Sequence, residues 1–410
     1  MNPKEVDLTR EILVTRQPIF DKRKDVFAYE LLFDASFKEQ IGQREKEPGD
    51  PTLRAVDAFL LNGFKVLSEG RKVFINFTPE MVATEFPLLF PSEMLGISVL
   101  DKSVSRNRMI SAVRKMKKAG YILMLGDCAL KEGSGAILQL VDIVGCDFRN
   151  TSPRECGAAL KEEKLRKVKF LAKSVETATD YKDAAEKGYE YFQGDFFNRA
   201  DLVPVRNIPS YKVNLLRILR EMNKPDVRFD RIENILKKDV SITYKLLRFI
   251  NSAKFGLKTT VHSIHHALIL LGETEVRKWL SLIVLSGTGT DKPQELLKST
   301  IIRSRFCETI AEQLKAPYDL SEYFLMGMFS MVEAFLDRPM GEILSELPLD
   351  AAIKAALMGE ENRFRQVLDV ILDYERGDWR NFSTSAGKLG LDEKRIVDLY
   401  LEAVEWATLF

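Results

Sequence analysis

Leu236–Gly272, LKKDVSITYKLLRFINSAKFGLKTTVHSIHHALILLG, is the stretch on which the reading of the chain turns. Its pattern predicts helix, turn, helix. Asp239 is placed to cap a helix whose apolar residues Val240, Tyr244, Leu247 and Ile250 recur at helical spacing. Asn251-Ser252 ends that helix, and Lys254-Phe255-Gly256 supplies a turn with a glycine free to take positive φ. Ser263 then caps a second helix running to Leu271, and Gly272 stands just past its C-terminus. All three histidines of the protein, His262, His265 and His266, lie inside this stretch. His262 and His266 have i, i+4 spacing, but no glutamate stands between them in an H-E-x-x-H arrangement. His262 also precedes the cap, so it need not share a helical face with His266. The cluster reads as a polar helix start, and no metal is expected there.

At 410 residues the chain exceeds a usual single domain, so two domains of about 200 residues are expected. Apolar residues make up 45% and charged residues 30%, as in a soluble globular protein. A formal charge of +1 argues against a surface dedicated to nucleic acid or to anionic membrane. The run Lys161–Lys169 carries both signs and reads as a solvated helix end. Cys128, Cys146, Cys156 and Cys307 form no C-x-x-C pair, which suits reduced thiols better than a disulfide framework. The N-terminal residues have no signal-peptide core, and no apolar run approaches the ~18 residues of a spanning helix. A cytoplasmic protein with no membrane association is expected.

Ahead of the opening stretch, Ile12–Phe20 and Val26–Phe33 are β-rich runs joined by the polar turn Asp21–Asp25, which reads as an antiparallel hairpin. Short strands then alternate with helices: Val73–Phe77, Ile97–Leu100, Tyr121–Leu125, Val141–Cys146, Val168–Ala172 and Tyr189–Phe192. The intervening helices are Thr52–Leu67, Val104–Lys118 and Thr177–Lys187. Eight strands are the number that closes a β/α barrel, although an open doubly wound sheet shares the alternation. Pro204 and Pro209 mark 200–213 as a linker. From Asn214 the chain reads as helical, including Thr274–Leu285, Glu295–Leu314 and Leu320–Leu336.

Two sets of residues carry a family resemblance. Asn251-Ser252-Ala253, Phe255-Gly256 and the Ser263–Gly272 helix resemble the HDOD domain, an all-helical signalling module related to metal-dependent HD hydrolases. Arg16-Gln17-Pro18-Ile19-Phe20 with Tyr29-Glu30-Leu31-Leu32-Phe33 resembles the opening of an EAL domain. Phe74–Phe77, Ser174–Thr177 and Gly188–Gly194 extend that likeness over about Ile12–Arg199. The resemblance implies an EAL-type modified β/α barrel, with one strand antiparallel, over 1–199. An all-helical HDOD domain would follow over 214–410, as in EAL–HDOD bacterial signalling proteins. Active EAL domains hydrolyse cyclic di-GMP with divalent metals.

Metal-assisted phosphodiester hydrolysis needs carboxylates converging on hard cations, and in a barrel these stand at C-terminal strand ends. By the resemblance, Glu30, Asn76, Asp127, Asp147, Glu176 and Gln193 keep the family's residues and outline a vestigial ligand pocket. Other positions depart from it. Ser98 and Lys173 stand where glutamates are expected, Gly126 replaces an aspartate, Gly145 a lysine, and Asp34 an arginine that holds phosphate. An ammonium at Lys173 opposes a divalent cation, and a buried lysine needs an acidic partner, for which Glu30 or Asp127 is available.

In the helical half, Ser330 and Met331 fall where HD relatives carry their His-Asp pair, and no histidine outside 261–267 can rebuild one. Met326, Met328 and Met331 read as pliable core. No cofactor motif appears: Gly287-Thr288-Gly289 lacks the Gly-Lys-Ser/Thr of a phosphate loop. The expectation is a non-catalytic adaptor that binds signalling proteins and needs no cofactor. Non-hydrolysing cyclic di-GMP reception is the alternative and a working phosphodiesterase the third reading. Weak cyclic di-GMP binding and homo-oligomerisation stay open, and nucleic acid is not an expected partner.

Overall fold

A computed structural model describes residues 13–34, 65–100, 106–126, 137, 139–149, 168–198, 246–247, 249–251, 261, 263–288, 292–316, 320–347 and 349–408. The expected linker 200–213, the domain start at Asn214, Asp127, Cys128, Cys156 and His262 lie outside these residues.

Eight strands close a barrel in sequence order. They are β1 Val14–Phe20, β2 Val26–Phe33, β3 Lys72–Phe77, β4 Leu95–Leu100, β5 Ile122–Gly126, β6 Ile143–Asp147, β7 Lys169–Lys173 and β8 Tyr191–Phe192. The expected hairpin is the one reversal: β1 is antiparallel to both β2 and β8, and every other pairing is parallel. Closure, which the alternation alone leaves undecided, is thus settled in favour of the barrel.

Period-2 alternation sends every second residue inward. Ile19, Ala28, Phe74, Met124, Ile143, Leu171 and Tyr191, from seven of the strands, form one buried apolar cluster. The eighth strand contributes Gly96, where a Cβ would lie 2.4 Å from Phe74 Cε1, so the glycine makes room for that ring. Outside the barrel, α1 Pro79–Ala83, α2 Arg106–Lys118 and α3 Ala178–Glu186 follow strands. α2 buries Met109, Ala112, Val113 and Met116, the i, i+3, i+4, i+7 stripe of a helix on a sheet. Thr177 starts α3 with a capping box: its side chain accepts from Asp180 N, and Asp180 returns a bond to the Thr177 N–H.

The remaining elements are helices: α4 Ile264–Thr288, α5 Gln294–Gln313, α6 Leu320–Phe329, α7 Val332–Leu336, α8 Met340–Glu346, α9 Ala351–Leu357, α10 Arg363–Arg376, α11 Trp379–Leu389 and α12 Ile396–Ala407. Ser263 caps α4 as expected, its Oγ accepting from His266 N at 3.1 Å. Gly272 has φ +73° and ψ 168°, breaking α4 where the pattern ends its helix. Asn251 ties Leu247 to Val261 ahead of α4. Its amide accepts from Val261 N at 2.7 Å and donates to Val261 O at 2.8 Å and Leu247 O at 2.7 Å. Around this framework Leu246, Phe249, Ile250, Ala267, Leu268, Val276 and Trp279 pack as one core. Trp279, only 2% exposed, lies inside this core and does not reach the surface.

The single helix expected over Leu320–Leu336 is two, α6 and α7, broken at Ser330-Met331. Met331 leaves helical geometry at φ −112°, ψ 5°. Ser330 Oγ donates to Gly327 O at 2.7 Å, and this local back-bonding competes with continuation of the helix. Met326, Met328 and Met331 are buried, as a pliable core requires.

By contacts the chain forms two compact units. The barrel unit comprises residues 1–197 together with 373–383 and 392–397; the helical unit holds 198–372, 384–391 and 398–410. Two stretches from near the C-terminus therefore belong with the barrel.

Candidate functional site in the barrel

Two residues beyond each member of the apolar cluster, toward the C-terminal end of each parallel strand, stands the next inward position. These positions are Glu30, Asn76, Ser98, Gly126, Gly145, Lys173 and Gln193. On the reversed β1 the equivalent lies two residues before Ile19, at Gln17, the register partner of Glu30. Seven of the family-derived positions thus share one tier, because a period of 2 carries them inward together.

Glu30 is the centre of this tier. Its carboxylate is buried, with Oε1 accepting from Asn76 Nδ2 at 2.7 Å and Oε2 from Gln193 Nε2 at 2.5 Å. Lys173 Nζ lies 3.5 Å from Glu30 Oε1, the two side chains being 16% and 3% exposed. A Cβ at Gly145 would sit 3.1 Å from Lys173 Cε, so a side chain there would press on the lysine stem. The small residue on β6 leaves room for the long one on β7. Asn76 Oδ1 and Ser98 Oγ, on register-paired residues, are buried with no hydrogen-bond partner among the described residues.

Asp147 and Glu176 meet elsewhere, at Arg149. Asp147 Oδ1 accepts from Arg149 N at 3.1 Å, and Glu176 Oε2 lies 3.0 Å from Arg149 Nη2. The hydrogen bond that the guanidinium donates to Glu176, with the charge of that carboxylate, holds it above its ordinary pKa. Asp34 lies just past β2, its N–H donating to Leu13 O at 3.1 Å.

A divalent pair needs converging oxygen lone pairs free of competing donors. Both oxygens of Glu30 face N–H donors, and an ammonium adjoins one of them. Among the described residues no group of three or more His, Cys, Asp or Glu side chains is placed to hold a metal ion. Among the described residues, those of the tier do not offer the oxygen ligands of a divalent pair. In the helical unit, Ser330 Oγ accepts from Arg303 Nη1 at 3.0 Å, and Met331 Sδ accepts from Thr300 Oγ1 at 3.3 Å. Ser330 and Met331 are therefore engaged by a guanidinium and a hydroxyl.

In the sequence Gln17 enters only through the Arg16–Phe20 motif, and residues 374–377 carry no site signal. Both bear on the tier: Gln17 Oε1 accepts from Gln193 Nε2 at 3.4 Å, and Gln17 Nε2 donates to Arg376 O at 3.4 Å.

Comparison with known proteins agrees with this anatomy. The HDOD domain family model matches residues 208–336. The uncharacterized protein YuxH of Bacillus subtilis (strain 168) is 31% identical over 403 residues, covering 96% of this chain and 98% of YuxH. The cyclic di-GMP phosphodiesterase CdgJ of Vibrio cholerae serotype O1 is 28% identical over 396 residues, covering 96% of this chain and 92% of CdgJ. Among solved structures, an EAL domain protein from Listeria monocytogenes EGD-e matches with a TM-score of 0.34 and 18% identity, over 45% of this chain and 87% of its own. No helix among the described residues is long and apolar enough to cross a membrane. An eight-stranded barrel with one reversed strand, the HDOD match and full-length similarity to YuxH together place the chain in the EAL–HDOD family, a barrel followed by a helical domain.

Proposed function

We propose that this protein acts in cyclic di-GMP signalling as a non-catalytic adaptor, its barrel no longer hydrolysing the nucleotide and its helical domain binding a signalling partner. The observation that carries the reading is Lys173 Nζ at 3.5 Å from Glu30 Oε1, in a tier where serine and glycine replace two further acids. A fixed cation beside the buried Glu30 carboxylate repels a second, divalent one. Purified full-length protein given cyclic di-GMP with excess Mg²⁺ or Mn²⁺ is expected to form no linear dinucleotide above a blank. Turnover abolished by Glu30→Ala would overturn the reading.

Retention of Glu30, Asn76 and Gln193 in contact favours a second reading, reception of cyclic di-GMP without cleavage. The name of CdgJ favours the third, a phosphodiesterase, which the same assay tests. The missing arginine at Asp34 argues for weak reception, with a dissociation constant no better than roughly 100 μM, near −5.5 kcal/mol. Sub-micromolar calorimetric binding lost in Gln193→Ala would promote the receptor.

For the adaptor itself, the surface of α4 offers Ile269 and Leu270, 55% and 46% exposed, one helical turn beyond the exposed His265 and His266. Large apolar groups left in water beside the structural framework are candidates for a partner contact. Ile269→Ser/Leu270→Ser is expected to leave stability within about 0.5 kcal/mol while reducing partner capture. The chain stays whole in this test, because residues 373–383 belong to the barrel unit. Undiminished capture in quantitative mass spectrometry would exclude this surface.

A further inference from the structure

The stretch 373–383 joins the barrel unit through a sharply built corner. α10 ends in a Schellman motif: Asp378 N donates to Asp373 O at 2.9 Å, Gly377 N to Tyr374 O at 3.0 Å, and Gly377 has φ +68°. Asp378 also opens α11, its Oδ1 accepting from Asn381 N at 3.2 Å. The corner lies against the hairpin β1–β2. Tyr374, fully buried, donates its hydroxyl to Val14 O at 2.7 Å, and a Cβ at Gly377 would lie 2.8 Å from Leu32 Cδ1. Val14 pairs with Phe33, beyond Glu30 at the C-terminal end of β2, so the corner sits on the same end of the hairpin toward which the polar tier lies.

One side chain spans from tier to corner. The Arg376 carbonyl is among the last carbonyls of α10, which have no partner inside the helix, and Gln17 Nε2 supplies one. The direction of this bond is dictated from the far end. A carboxylate only accepts, so Gln193 must turn its NH₂ toward Glu30; that same NH₂ then meets Gln17. Gln17 must answer with its oxygen, which leaves its own NH₂ for Arg376. Each amide orientation follows from the one before it, beginning at the charge on Glu30. Both Gln17 bonds are 3.4 Å long, so they are the weakest links and the first to be lost.

We infer that Gln17 couples the buried carboxylate tier to the 373–383 corner, so that a change of charge or of hydrogen-bond polarity at Glu30 loosens the corner. The coupling holds whether or not the barrel cleaves or binds cyclic di-GMP, since it uses only groups of this chain. By linkage, anything that shifts the corner also alters the tier.

Hydrogen–deuterium exchange on the full-length protein tests this. Glu30→Gln lets position 30 present an NH₂ and removes the fixed polarity. It is expected to speed exchange in peptides covering 373–383 by about three- to tenfold, the range of one lost hydrogen bond. Gln17→Ala should do the same, and Glu30→Gln/Gln17→Ala should exchange no faster there than Gln17→Ala alone. Strand β4 is the control, and its exchange should change less. Unchanged exchange at 373–383 in Glu30→Gln, full additivity in the double variant, or equal acceleration in β4 would each overturn the coupling. Should Glu30→Gln fail to fold, Gln193→Leu interrupts the same relay one step later and is judged by the same outcomes.

Discussion

Gly194→Ala is expected to destabilise the barrel by about 3 kcal/mol or more, enough to unfold it under mild denaturant. Gly194 has φ +144°, a conformation that L side chains rarely adopt. A Cβ there would lie 2.1 Å from Val175 O and 2.6 Å from Val175 N. Those atoms are backbone and cannot turn aside. They are also in use, Val175 N donating to Gln193 O at 3.0 Å and Phe196 N to Val175 O at 3.1 Å. Any retreat would open the seam between β7 and β8 and move Gln193 away from Glu30. Gly188→Ala is the paired control. Its φ is +96°, but nothing lies within 4 Å of the added carbon, so only the conformational penalty of about 1–2 kcal/mol applies. Urea titrations followed by exchange in barrel peptides compare the two. Equal losses would show that close approach to Val175 is not what requires glycine at 194.

Lys173→Met is expected to cost about 2–3 kcal/mol, at or below the lower end for breaking a buried ion pair. The methionine keeps most of the stem but leaves Glu30, 3% exposed at its side chain, to its two amide donors. An uncompensated buried carboxylate is the larger part of that loss. Glu30→Gln in the same chain removes the charge, so the double variant should regain most of the stability. A double-mutant cycle in denaturant measures the recovery. Additive losses would mean that Lys173 and Glu30 do not hold one another, and the argument against a divalent cation in the tier would lose its footing.

Much of the architecture was legible because it follows from local rules. Alternating apolar residues predict strands wherever they occur, and the polar turn Asp21–Asp25 predicts the hairpin that became the one reversed strand. Ser263 and Gly272 mark a helix start and stop through cap chemistry that acts over a few residues. The same period of 2 that makes the strands also decides that Glu30, Asn76, Ser98, Lys173 and Gln193 face one way, so their shared tier was implicit in the spacing. Lys173 was expected to seek an acid because a cation removed from water requires one, and it lies beside Glu30.

Other features required the folded chain. Whether eight strands close or stay open depends on how the last meets the first, and Phe20 and Phe192 stand 172 residues apart in sequence. Asp147 and Glu176 looked like members of one pocket with Glu30, but their contacts go to Arg149, through its N–H and its guanidinium. Helical spacing continues unbroken through Ser330-Met331, yet the Ser330 hydroxyl turns back on Gly327, a local choice the apolar pattern cannot register. The largest departure is the 373–383 corner. Its residues have ordinary helix and cap chemistry, so local pattern assigns them to the helices beside them. Contacts such as that of Tyr374 with Val14, 360 residues away, show that they belong with the barrel unit. Sequence by itself determined the eight strands and the way they face, because those depend on neighbours a few bonds away. The tertiary structure alone decided which distant groups share a hydrogen bond, because that depends on where the whole chain returns.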